Sequence, residues 1–185
     1  MRIETSILWR RLDQEGHDAC LLGETDDGWC LKGHALFVHD GKSSSLAYEV
    51  SCDSGWRTRA ARVDGFVALQ ELRFEIERRA DGQWLLNGKG QAEAAGLVDI
   101  DLGFTPATNL LPIRRLDLGP GKTTPAPAAY LAFPQLELVR LDQTYRRLDE
   151  SRYAYAAPMF GYEAVLTVSL AGFVVDYPSL WRSAA

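Results

Sequence analysis

The chain has 185 residues, of which 46% are hydrophobic and 24% charged, with a formal net charge of −5. That balance belongs to a globular protein with enough apolar surface to bury a sizeable core, and it excludes long disorder. The basic clusters stop at pairs (Arg10-Arg11, Arg78-Arg79, Arg114-Arg115 and Arg146-Arg147), which argues against nucleic acid as a partner and against a polybasic membrane patch.

From Met1 to Arg11 the apolar stretch is too short and too soon interrupted for a signal-peptide core, so a cytoplasmic location is expected. No run approaches the roughly 18 apolar residues of a spanning helix, so no integral membrane segment is expected. Cys20, Cys30 and Cys52 are odd in number and form no Cys-x-x-Cys pair, as buried thiols in a reducing compartment would be.

Strand periodicity then dominates the chain. Leu46, Tyr48, Val50 and Cys52 alternate with Ala47, Glu49, Ser51 and Asp53. Leu72, Phe74 and Ile76 alternate with Arg73, Glu75 and Glu77, and Ala164, Leu166, Val168 and Leu170 with Val165, Thr167 and Ser169. A period of two places each set on one face of a strand. Asp26-Asp27-Gly28, Asp40-Gly41-Lys42, Asp64-Gly65, Asp81-Gly82 and Ala171-Gly172 read as turns between strands. The spacing predicts a mostly β protein, one β-rich domain over 1–185, with a long antiparallel sheet of about ten or more strands. No repeat of fixed period points to a propeller or solenoid.

The segment 105–118 breaks the pattern. Thr105 can cap a helix with Pro106 at its first position, apolar Leu110, Ile113 and Leu116 follow at helical spacing, and Gly119-Pro120 supplies a stop. Pro112 removes one backbone donor and is expected to make the first turn irregular. After a Pro- and Gly-rich connection, strands are expected from Ala129 to Leu141 and from Tyr153 to Tyr177. Asp176-Tyr-Pro-Ser-Leu-Trp181 then reads as a proline stop that returns a Trp to the body.

Few motifs carry chemistry. Gly121-Lys122-Thr123 lacks the first glycine of a phosphate loop, since position 116 is Leu. His17, His34 and His39 lack ligand spacing, so neither a metal nor another cofactor is expected, and no Gly-x-Ser-x-Gly elbow supports a lipase nucleophile. Asp99 and Asp101 share a strand face with Cα atoms about 7 Å apart, either as a solvated face or as paired carboxylates for sugar hydroxyls or acid–base work. Asp53, Trp56, Arg57 and Arg59 join an acid, an aromatic ring and two guanidinium groups, a mixture that can hold a sugar or an anion. Equally, Arg57 and Arg59 can pair with Asp99 and Asp101 across strands.

Four stretches carry a resemblance: Tyr48 to Asp53 followed by Trp56-Arg-Thr-Arg59, Val98 through Leu116 with its Leu-Pro-Ile-Arg-Arg-Leu ending, Phe133 to Leu138, and Phe173 to Trp181. Together they resemble the bacterial family described as "Putative glycolipid-binding". The resemblance implies a long antiparallel sheet wrapped around a single α-helix, a homodimer, remote likeness to envelope lipoprotein carriers, and an acidic pocket for a sugar or lipid headgroup. In such a fold Leu110, Leu111, Ile113 and Leu116 would face the sheet. Asp99, Asp101 and Glu49 would rim a polar opening, with Asp53, Trp56, Arg57, Arg59 and Arg114 as further candidates for contact with the ligand. The expected function is non-catalytic binding of a glycolipid or related amphiphile. The alternatives are a hydrolase or isomerase using the paired carboxylates, and a ligand-free dimeric scaffold.

Overall fold

The computed structural model describes residues 1–132 and 136–184. Phe133, Pro134 and Gln135 of the third resembling stretch lie outside the described residues.

Six long strands open the chain: β1 (Arg2–Arg11), β2 (Gly16–Thr25), β3 (Gly28–His39), β4 (Lys42–Cys52), β5 (Thr58–Val67) and β6 (Gln70–Arg78). They pair in sequence as an antiparallel meander that continues through β7 (Trp84–Leu86) and β8 (Lys89–Gly90). Each buries alternate residues. In β4, Leu46, Tyr48, Val50 and Cys52 are buried while Ala47 and Glu49 are exposed, because successive side chains leave opposite faces of a pleated strand.

The short strand β9 (Asp99–Asp101) precedes a 3-10 turn, Ala107–Asn109, and helix α1 (Leu110–Leu116). After them come β10 (Thr123–Pro125), β11 (Ala128–Ala132), β12 (Glu137–Leu141), β13 (Thr144–Arg147), β14 (Arg152–Ala157), β15 (Tyr162–Val168), β16 (Val174–Tyr177) and β17 (Trp181–Ser183). One sheet of 14 strands runs β10-β13-β14-β15-β16-β17-β1-β2-β3-β4-β5-β6-β7-β8. The pairing of β17 with β1, Arg11 opposite Trp181, joins the last strand to the first and lets a single sheet curl around α1. Strands β12, β11 and β9 form a separate sheet in which β11 runs parallel to β9, a pairing a simple meander does not provide.

The helix is the plug of this curl. Leu110, Leu111, Pro112 and Ile113 are buried, as expected of the face turned to the sheet, and Leu116 is half-buried. Thr105 Oγ1 accepts a hydrogen bond from the Ala107 N–H at 3.0 Å, and the turn that follows is 3-10 rather than α. Pro112 falls in the first turn of α1, where an absent N–H costs least. Asp117, at φ 39° with its N–H bonded to the Ile113 carbonyl, ends the helix before Gly119-Pro120 is reached.

Three expectations are corrected. Asp64-Gly65 is not a turn but the interior of β5, the hairpin lying at Ala68-Leu69. Gly65 has φ +147°, and a Cβ there would lie 2.0 Å from the Ser45 carbonyl oxygen, so this glycine answers to a close backbone approach. Leu170 does not continue the buried row of β15, because the strand ends at Val168 and Leu170 is fully exposed on the hairpin tip. Pro178 does not stop the sheet: it lies in the turn from β16 to β17, and buried Trp181 begins the strand that closes on β1.

Candidate functional site

Inside the curl, beside the N-terminal end of the helical segment, lies a cavity of about 320 Å³. Its walls come from period-two alternation on separate strands. Tyr130 of β11, Tyr155 of β14, Tyr162 of β15, Tyr177 of β16 and Trp181 of β17 all line it, with Phe160 from the β14–β15 connection at its exposed edge. Asp101, Thr105 and Asn109 supply polar groups. A largely aromatic enclosure with few convergent polar groups is what a small-molecule site requires.

The tyrosine hydroxyls are mostly tied back into the protein. Tyr155 donates to Gln143 Oε1 at 2.9 Å, and Tyr162 donates to the Pro178 carbonyl at 2.6 Å. Asn109 Nδ2 donates to the Tyr145 hydroxyl at 2.8 Å behind the wall. Ring pairs meet edge-on or tilted, Tyr155–Tyr177 at 5.8 Å and 80°, Tyr162–Tyr177 at 5.4 Å and 63°, and Tyr130–Phe160 at 5.4 Å and 66°. The rings therefore pack edge to face around the space instead of stacking in parallel.

Asp101 is the charged group of the lining. Its Oδ1 accepts the Gly103 N–H at 2.8 Å, and burial pushes its pKa up to about 6, with that hydrogen bond pulling the other way. Behind Thr105 sits a second buried carboxyl, Asp18 of β2. It receives hydrogen bonds from the Tyr48 hydroxyl, 2.9 Å from Oδ2, and from the Thr105 hydroxyl, and burial raises its pKa to about 7.

Of the expected site residues, Asp101 alone lines this cavity. Asp99 is fully buried and forked by Arg115 of α1, Nε to Oδ1 at 2.9 Å and Nη2 to Oδ2 at 2.6 Å. The expected pairing of Arg57 and Arg59 with the two aspartates is thus corrected: both arginines are exposed, and the helix reaches Asp99 from inside the curl. Glu49 does not join the rim, because it stands on the outer face of β4, 2.9 Å from Lys32 Nζ, over a surface trough with Arg62 and Glu75. Asp53 shapes its own turn, its Oδ1 accepting the Gly55 and Arg57 N–H groups at 2.9 Å each.

Trp56 and Arg114 do meet, in a different recess of about 300 Å³ near the C-terminal end of α1. The Arg114 guanidinium lies 5.0 Å over the Trp56 ring, whose other neighbour is Trp29, stacked at 4.4 Å. This recess also carries Asp117, Arg147 and Glu150, so its charges are mixed. Among the described residues no group of three or more His, Cys, Asp or Glu could hold a metal ion, and no helix is long and apolar enough to cross a membrane.

Tyr130, Tyr155, Tyr162 and Tyr177 are not among the site residues expected from the sequence. The signal that could have marked them is their chemistry: tyrosine on the inward positions of neighbouring strands brings hydroxyls into a place where Phe or Leu would pack without needing partners.

A model of the family described as "Putative glycolipid-binding" matches residues 6–183. The chain belongs to this family. A crystal structure of a DUF1089 family protein from Pseudomonas aeruginosa superposes with a TM-score of 0.77 at 31% identity, covering 90% of this chain and 91% of that one. No curated protein matches the chain. The family's description and the fold agree with the resemblance carried by the Leu-Pro-Ile-Arg-Arg-Leu stretch, which here is α1 itself.

Proposed function

We propose that the chain binds a glycolipid or related amphiphile without transforming it, in the cavity between the segment leading into α1 and the C-terminal strands. The observation that carries this is the cavity's make-up: Phe160 and Leu180 give an apolar edge, and Asp101, Thr105 and Asn109 give polar groups for a headgroup. The family description supports the glycolipid class.

The hydrolase or isomerase alternative has one suitable group, Asp101, whose raised pKa fits a general acid. It lacks the second, because Asp99 is engaged on both oxygens by Arg115 and is not free to act as base or nucleophile. Non-catalytic binding is therefore favoured. We include a homodimer in this reading, supported by Leu8, Leu21 and Leu36, which stand exposed on the outer face of the adjacent strands β1, β2 and β3. A cytoplasmic location is supported by Cys20, Cys30 and Cys52, which are buried and free of disulfides.

Native mass spectrometry of freshly purified protein, with lipid extraction of what co-purifies, tests the proposal. A bound amphiphile, or a rise in melting temperature with alkyl glycosides, is expected; an empty protein with no thermal shift across a lipid and sugar panel would overturn it. Sedimentation analysis of the same sample tests the dimer.

A further inference from the structure

Among the described residues, the cavity lining contains one carboxylate, Asp101, and no Lys, Arg or His. Two residues earlier on the same strand face, Asp99 has Arg115 as its counter-ion. Asp101 has no such partner: among the described residues its carboxylate makes no ion pair, and the Gly103 N–H is the hydrogen bond it receives. A half-buried carboxylate without a cation, opening into a space walled by Tyr130, Tyr155, Tyr162 and Tyr177, is electrostatically incomplete.

The ring faces point to the same missing partner. With the hydroxyls of Tyr155 and Tyr162 donated to Gln143 and Pro178, it is the rings that these residues bring to the lining, and an aromatic ring's quadrupole attracts positive charge to its face. At the rim the protein already makes such a contact with itself. The Arg11 guanidinium, held by Asp13 at 2.8 Å, lies 5.2 Å from the centroid of the Trp181 ring. A phosphate or carboxylate headgroup would instead meet Asp101 with no basic residue in the described lining to neutralise it.

We propose that the tyrosine cavity recognises a positively charged nitrogen, so that the amphiphile it takes bears an alkylammonium or a protonated amino-sugar headgroup. Asp101 would supply the counter-charge, and Tyr130, Tyr155, Tyr162 and Tyr177 would enclose the cation. This inference rests on the amphiphile-binding reading and narrows it to a headgroup class.

Isothermal titration of the full chain with hexyltrimethylammonium, hexyl 2-amino-2-deoxyglucoside, hexyl glucoside and hexyl sulfate separates the possibilities. At least one of the two cationic probes is expected to bind about tenfold or more tighter than the neutral glucoside, and hexyl sulfate to bind weakest, as a cation–π site with a counter-charge requires. The tighter cation identifies the nitrogen as quaternary or sugar-borne. Asp101→Asn, which keeps an oxygen for the Gly103 N–H, should remove most of the preference for the cation while changing glucoside binding little. Tyr162→Phe, which keeps the ring, should retain that preference. Equal or tighter binding of the neutral glucoside, or a cation preference unchanged in Asp101→Asn, would overturn the headgroup assignment and leave amphiphile binding standing. Binding of none of the four probes would count against both.

Discussion

Arg115 of the buried helix holds Asp99 of β9 through two parallel hydrogen bonds, 2.9 Å and 2.6 Å long, with the carboxylate wholly out of water. Burial raises the pKa of Asp99 and the Arg115 guanidinium draws it back, with further help from Arg78 and Arg57, so Arg115 is the main group that keeps this buried carboxyl ionised. The pair fastens α1 to the small sheet.

Removing one partner strands the other charge. Arg115→Met is expected to cost about 3–5 kcal/mol of stability, the usual penalty for an uncompensated buried charge. Asp99→Asn combined with Arg115→Met should recover much of that loss. Urea unfolding of the three variants checks this, and a double variant no better than Arg115→Met would refute it.

Asp18 makes the fold sensitive to pH in the opposite direction from a salt-bridged carboxylate. Its folded pKa of about 7 lies above the ordinary value of 3.8, so the folded state holds a proton that the unfolded chain has already released. Stability from this group is full below pH 4 and is lost as pH rises toward 7 and beyond, by at most about 4 kcal/mol at 1.4 kcal/mol per pKa unit. Asp18→Asn is expected to raise the melting temperature at pH 8 and to show no such gain at pH 4. Thermal melts across that range decide it, and a gain independent of pH would contradict the assignment.

Gly65 and Gly41 both have positive φ, but their surroundings differ. At Gly41, φ +70°, a methyl group in place of the hydrogen would meet nothing within 4 Å, and at Gly65 the Ser45 carbonyl blocks it. Gly41→Ala should cost roughly 1 kcal/mol for its backbone conformation alone, and Gly65→Ala about 3 kcal/mol or more. Chemical unfolding would show the order, and equal losses would mean that β4 and β5 separate freely at this point.

Cys20, Cys30 and Cys52 should be inert in the folded protein. Burial is the main cause that raises all three thiol pKa values, that of Cys52 to about 12, so little thiolate exists at neutral pH. Ellman's reagent is expected to react slowly with native protein and fully after denaturation. Rapid reaction of the native chain would show that β2, β3 or β4 opens on the timescale of the assay.

What the amino-acid order determined by itself was everything that depends on local backbone geometry. Alternation in Leu46 to Cys52 and in Leu72 to Ile76 placed the buried faces of β4 and β6, and Thr105-Pro106 marked the helical segment, because strand pleat and helix capping act over a few residues. Asp64-Gly65 misled because a glycine that permits a turn also permits the close approach of two strands. What only the tertiary structure decided was which distant residues share a space. Asp99 and Asp101 occupy one strand face, yet the curl of the sheet gives Arg115 to the first and four tyrosines to the second. That partition follows from closing β17 on β1 around α1 and from the parallel pairing of β11 with β9, long-range arrangements that a pattern of period two does not encode.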